Sequence, residues 1–167
     1  MPSLTWNDSL ANNLAPMDET HREFVDCYNA VASAAPEDFL PAFDRLIAHT
    51  VAHFDLENGW MAAVDFPGCH SGEHDRVLAV MLDIRKRVEK GDMFLGRRLI
   101  EELPAWFENH VNGMDAALAF HLDSIGFDFE QGALKPLADG EQRGAGCACA
   151  SMNTPETVST PAAATAA

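Results

Sequence analysis

The sequence predicts an all-α fold: an antiparallel up-down-up-down four-helix bundle with an extended N-terminal arm and a disordered C-terminal tail. Three observations predict it. Apolar residues recur at steps of three and four from about Asp18 to His121, the spacing that lines one face of a helix. Breakers at Ala35-Pro36, Pro67-Gly68 and Gly91 cut that stretch into four. After Phe129 the composition turns to Ala, Gly, Pro, Thr and Ser. Short connections between amphipathic helices make successive helices antiparallel.

The segment before the first helix, including Trp6, reads as an extended arm packed along the bundle. The first helix is expected to begin near Asp18, an N-cap residue type, and to set His21, Phe24, Tyr28, Val31 and Ala35 on one face. The second carries Phe39, Phe43, Leu46, Thr50, His53, Glu57, Trp60 and Val64, and Pro67-Gly68 closes it. The third carries His70, His74, Val77, Met81, Ile84 and Val88, with Gly91 as C-terminal cap. The fourth runs from about Met93 to His121 through Leu99, Leu103, Trp106 and His110, and Pro104 is expected to kink it. No convincing strand alternation is present.

A chain of 167 residues holds one domain with a sizeable core. Residues 1–130 are taken as the folded unit, and residues 131–167 are expected to be disordered because they offer too little apolar surface to offset ordering entropy. The 26 acidic and 11 basic residues give a net charge of −15. That argues against nucleic acid, which needs clustered Lys and Arg, and against adsorption to an anionic membrane. No apolar run approaches the roughly 18 residues of a membrane span, and Met1–Leu10 has no signal-peptide pattern. The four cysteines, Cys27, Cys69, Cys147 and Cys149, are expected to be free thiols. A cytoplasmic protein, monomeric by preference, is expected.

The helix stripes contain polar residues where Leu or Val belongs: His21 on the first, His53 and Glu57 on the second, His70 and His74 on the third, His110 and nearby Asp115 on the fourth. Burying one such group without a partner costs about 2–7 kcal/mol, and more for a charge. Seven converging on one interior need compensation, and a metal centre supplies it. His53/Glu57 and His70/His74 are spaced i,i+4, so each pair leaves its helix in one direction. His110 and Asp115 are i,i+5, about 140° apart on regular α-helical geometry, and require a local distortion or a long reach. Five imidazoles and two carboxylates suit iron. Seven ligands are too many for one ion, so two ions are expected.

His21, His53-x-x-x-Glu57, His70-x-x-x-His74 and His110-x-x-x-x-Asp115, in that order, resemble the full ligand pattern of the hemerythrin family. The flanking runs Met17-Asp18-Glu19-Thr20-His21 and Trp106-Phe107-Glu108-Asn109-His110 resemble its bacterial members. The resemblance covers about Leu4 to Leu122. It implies one iron held by His70, His74 and His110, a second by His21 and His53, and bridges from Glu57, Asp115 and a solvent-derived oxo or hydroxo group. It further implies reversible dioxygen binding (Fe2+/Fe3+) at the position left open on the second ion. The expected role is oxygen storage, delivery to an oxygen-consuming enzyme, or sensing, by a carrier and not an enzyme. The alternatives are a di-iron enzyme or detoxifier acting on peroxide or nitric oxide, and an iron reservoir.

Phe24, Trp60, Trp106, Phe107 and Val111 are candidates for an apolar wall around that position. His49 is expected to flank the ligand set without joining it, and His121 to sit at a bundle end. Cys69 is expected to be a packed thiol, and Cys147-Ala148-Cys149 an incidental pair.

Overall fold

The computed structural model describes residues 3–134. Four long helices form the bundle: α1 (Ala15–Ser33), α2 (Pro36–Ala63), α3 (Cys69–Glu89) and α4 (Met93–His110). A π-helical segment, Val111–Asp115, joins α4 to α5 (Ala116–Ser124), so α4 and α5 make one rod. Each long helix packs on the next, and α4 closes the ring onto α1. The connections are short, and Gly91 takes φ +99° after the last turn of α3, the left-handed conformation that glycine adopts without strain.

Two helix details differ from expectation. Asp18 does not cap α1, which begins three residues earlier with Pro16 in its first turn, where a missing N–H costs nothing. The Asp18 carboxylate instead accepts the backbone N–H of Asn12 at 2.7 Å, pinning the arm. In α4, Pro104 interrupts the hydrogen bonds but not the helix. It cannot donate to the Ile100 carbonyl one turn back, and the buried Tyr28 hydroxyl donates to that carbonyl at 2.8 Å. The freed acceptor is satisfied from α1.

The arm does pack along the bundle. The Leu4 N–H donates to Asn29 Oδ1 at 3.0 Å, Asn29 Nδ2 donates back to the Leu4 carbonyl at 2.8 Å, and the Arg22 guanidinium lies 4.6 Å from the Trp6 ring centre. Gly96 lets α4 approach its neighbours closely: a β-carbon there would lie 2.6 Å from Val88 Cγ2 and 2.8 Å from Phe39 Cε1.

A small hairpin absent from the expectation follows α5. Strands β1 (Phe127–Asp128) and β2 (Ala133–Leu134) pair antiparallel, the second lying beyond residue 130. Asp128 Oδ1 accepts the N–H groups of Glu130 and Gln131, and Gly132 takes φ +63°. Phe129 packs edge-on against Trp60 with ring centres 5.2 Å apart. The tail from residue 135 on, with Cys147 and Cys149, lies outside the described residues. Among the described residues no helix is long and apolar enough to cross a membrane.

The apolar core falls into two clusters. One holds Phe24, Tyr28, Phe43, Leu46, Met81, Leu103, Phe107 and Val111; the other holds Met17, Trp60, Met61, Leu118, Leu122 and Phe127. Along α1 the order is Met17, His21, Phe24, and along α2 it is Leu46, His53, Glu57, Trp60. Phe107, His110, Asp115 and Leu118 follow one another along α4 and α5. A polar belt therefore crosses the bundle between two dry regions.

Candidate metal centre

All seven polar residues picked out by their stripe positions are buried in that belt, none more than 5% exposed. His53 and Glu57 leave α2 together, as do His70 and His74 from α3, because residues four apart share a helix face. His110 and Asp115 need more than regular geometry, and the π segment Val111–Asp115 provides it. A π turn bonds residue i to i+5, so residues five apart stack on one face. His110 Nε2 and Asp115 Oδ1 are 3.1 Å apart as a result.

The two carboxylates divide the five imidazoles between their oxygens. Asp115 Oδ2 lies 3.0 Å from His21 Nε2, while Oδ1 lies 3.0 Å from His70 Nε2. Glu57 Oε1 lies 3.0 Å from His53 Nε2, while Oε2 lies 3.3 Å from His74 Nε2 and 3.6 Å from His70 Nε2. His110 Nε2 is 3.2 Å from both His70 Nε2 and His74 Nε2. Glu57, His70, His74, His110 and Asp115 thus form one donor group, and His21, His53 and Glu57 a second, each with one donor atom per residue within 4.8 Å of the others.

This donor set fits metal ions better than it fits itself. Among the described residues, the eight buried side-chain nitrogen and oxygen atoms without a hydrogen-bond partner all belong to six of these seven residues: His21, His53, Glu57, His70, His110 and Asp115. His21 Nε2 and both Asp115 oxygens are among them, although they approach to 3.0 Å. They converge without aligning as donor and acceptor. Each such atom costs about 1–3 kcal/mol if left unsatisfied. Donors about 2.1 Å from one ion and at right angles lie about 3.0 Å apart, close to the 3.0–3.2 Å separations found here.

Electrostatics favour ligand-ready protonation states. Burial pushes the Glu57 and Asp115 carboxyls up, and the Asp115 charge adds to this at Glu57, but the facing imidazoles outweigh these effects. His53 and His74 hold Glu57 below the usual carboxylate range, and His110, His21 and His70 hold Asp115 well below it. Burial lowers the pKa of His74, favouring its neutral form. Its Nδ1 lies 3.0 Å from Asn58 Oδ1. A proton on Nδ1 donated to Asn58 leaves the Nε2 lone pair facing the cluster. Sequence reasoning missed Asn58, whose only signal is its place beside Glu57.

Of the expected wall residues, Phe107 lies edge-on to His21 with centres 5.6 Å apart and stacks on Phe24 at 4.4 Å. Val111 is fully buried in the same cluster. Trp106 stacks on His110 at 4.9 Å. Trp60 departs from the expectation and packs in the second core cluster against Phe129. His49 stays outside the donor groups, its Nε2 lying 3.0 Å from the Thr20 carbonyl oxygen. His121 sits near the end of α5 beside Phe66. Cys69 is exposed, not packed.

Comparison with known proteins agrees with this geometry. The hemerythrin HHE cation binding domain matches residues 12–119. A bacteriohemerythrin of Ralstonia nicotianae is 46% identical over 135 residues, which cover 80% of this chain and 98% of the relative. A bacteriohemerythrin of Stenotrophomonas maltophilia is 25% identical, covering 79% of this chain and 92% of the relative. One of Methylococcus capsulatus is also 25% identical, covering 69% and 93%.

Proposed function

The chain belongs to the hemerythrin family, and we propose that its inward-facing His/carboxylate cluster holds two iron ions and binds dioxygen reversibly. The observation that carries this reading is an asymmetry. Three imidazoles, His70, His74 and His110, surround one end of the carboxylate pair, and two, His21 and His53, surround the other. Glu57 and Asp115 face both ends and would be shared between the two ions. The end with two imidazoles is one protein ligand short, and an open ligand position is where a small molecule binds.

When bound, a pair of irons supplies two electrons that dioxygen can take up and give back. The chain's own residues determine whether the exchange stays reversible. Phe107, edge-on to His21 and stacked on Phe24, covers the His21 side with hydrocarbon, which keeps water and stray protons from that position. Asn58 keeps the His74 lone pair directed inward. Imidazoles outnumber carboxylates in the cluster by five to two, which disfavours the more oxidised metal levels used by carboxylate-rich di-iron sites. Such a site suits a carrier.

Absorption spectra of the iron-loaded protein, cycled between air and argon, test this reading. A band that forms in air, vanishes under argon and returns over several cycles is the expected result. Steady consumption of peroxide or nitric oxide with no such band would overturn the carrier reading in favour of an enzyme.

A further inference from the structure

Taking the metal centre as read above, we infer that the groove between α3 and α4 is a docking site for a cationic one-electron carrier, whose electron reaches the metal pair through Trp106. The groove holds about 280 Å³, and Val77, Val80, Leu99, Leu103 and Trp106 line much of it. Trp106 occupies both environments. It is half-buried in the groove, its indole N–H donates to Glu73 Oε1 at 3.0 Å, and its ring stacks on His110 at 4.9 Å and 24°. One side chain thus separates a surface groove from a ligand imidazole.

The position of the groove argues for electron traffic over ligand traffic. His110 belongs to the end of the cluster with three imidazoles, where no protein ligand is missing. The end with room for a small molecule is walled by Phe24 and Phe107 instead. A route that arrives at the filled end can deliver an electron and little else. A carrier that releases dioxygen imperfectly accumulates oxidised metal, and restoring the pair takes two electrons. Two carriers each lose one electron, two metal ions each gain one, and solvent protons balance the charge. No bond of Trp106 forms or breaks.

Charge selects the partner. The chain carries −15, and the groove's charged residues, Glu73, Arg76 and Glu102, are net acidic. Arg76 is tied to Glu73, and at the rim one Arg98 guanidinium is shared between Glu101 and Glu102 at 3.2 Å each, leaving one carboxylate charge in excess there; the Glu102 side chain is 64% exposed. Val80, half exposed at 50%, adds apolar surface to the acidic rim. An apolar patch with an acidic border fits a small, transient interface with a basic protein, and electrostatic steering accelerates such encounters by about 10–1,000-fold at low salt.

The test uses hexaammineruthenium(II) as the cationic donor and dithionite as the anionic one, acting on the oxidised, iron-loaded full chain. Glu102→Lys should slow reduction by the ruthenium complex about tenfold at low salt, speed reduction by dithionite, and lose both effects in high salt. Trp106→Leu should slow both donors several-fold, with iron content unchanged. Zinc-loaded protein gives a redox-free reading: the ruthenium(III) complex should quench a tryptophan signal that Trp106→Phe removes, and Glu102→Lys should weaken that quenching. Equal rates for Glu102→Lys and the parent with both donors, or quenching unaffected by either substitution, would overturn the docking site. The zinc reading stands whether or not the iron form binds dioxygen, so the two proposals fail separately.

Discussion

Phe107 is the residue whose removal should separate stability from oxygen chemistry. Its side chain is 2% exposed, stacks on Phe24 with planes 7° apart and meets His21 edge-on at 89°. Phe107→Ala removes a whole buried ring, which costs about 3–5 kcal/mol through lost transfer energy and the cavity left behind. About 0.5–1.5 kcal/mol of aromatic pairing lies within that loss. The cavity would open onto His21, at the end of the cluster where dioxygen is proposed to bind, and would admit water there. The assay has two parts. Denaturant unfolding measures the stability loss, and decay of the oxygenated absorption band measures spontaneous oxidation. Leu103→Ala is the control: it cuts the same core cluster, should cost about 2–5 kcal/mol, and should leave the decay rate near that of the parent. Faster decay in Phe107→Ala alone is the expected result. Equal decay rates in both variants would refute the claim that Phe107 walls the ligand position.

Three further substitutions or conditions test the fold around the site. Gly96→Ala places a β-carbon 2.6 Å from Val88 Cγ2 and should cost about 1–3 kcal/mol by overpacking, read by urea unfolding, with metal content unchanged. Tyr28→Phe strands the Ile100 carbonyl that Pro104 cannot serve and should cost about 1–3 kcal/mol; adding Pro104→Ala restores a backbone donor and should recover part of the loss. In metal-free protein, burial holds His74 and His49 below their ordinary 6.5, so the unfolded chain takes up protons first as pH falls. Stability is therefore full above 6.5 and declines as pH drops through that value toward the folded pKa of each; flat stability from about pH 8 to pH 5 would contradict this.

Much of the site was legible because burial penalises misplaced polarity. Seven His, Glu and Asp residues on apolar stripes are expected to converge inside the bundle, and all seven are buried there; helix periodicity gives the shared direction of the two i,i+4 pairs. The i,i+5 spacing of His110 and Asp115 pointed to a distortion, yet its form, a π turn over Val111–Asp115, depends on the packing of the whole rod. Asp18 has the residue type of a cap, but Pro16 marks the first turn of α1 and the helix starts there. The hairpin escaped because two-residue strands carry no periodicity, leaving Asp128 and Gly132 as the only signals. Asn58 and Glu73 escaped because each acts across to another helix, and one helix's pattern does not record its neighbour's side chains.

Oxygen uptake by a known amount of iron-loaded protein tests the central claim most directly. Two irons per chain, one dioxygen taken up per pair, and that dioxygen returned when the solution is purged are the expected result. Protein that binds no iron, or takes up dioxygen without returning it, would contradict the account.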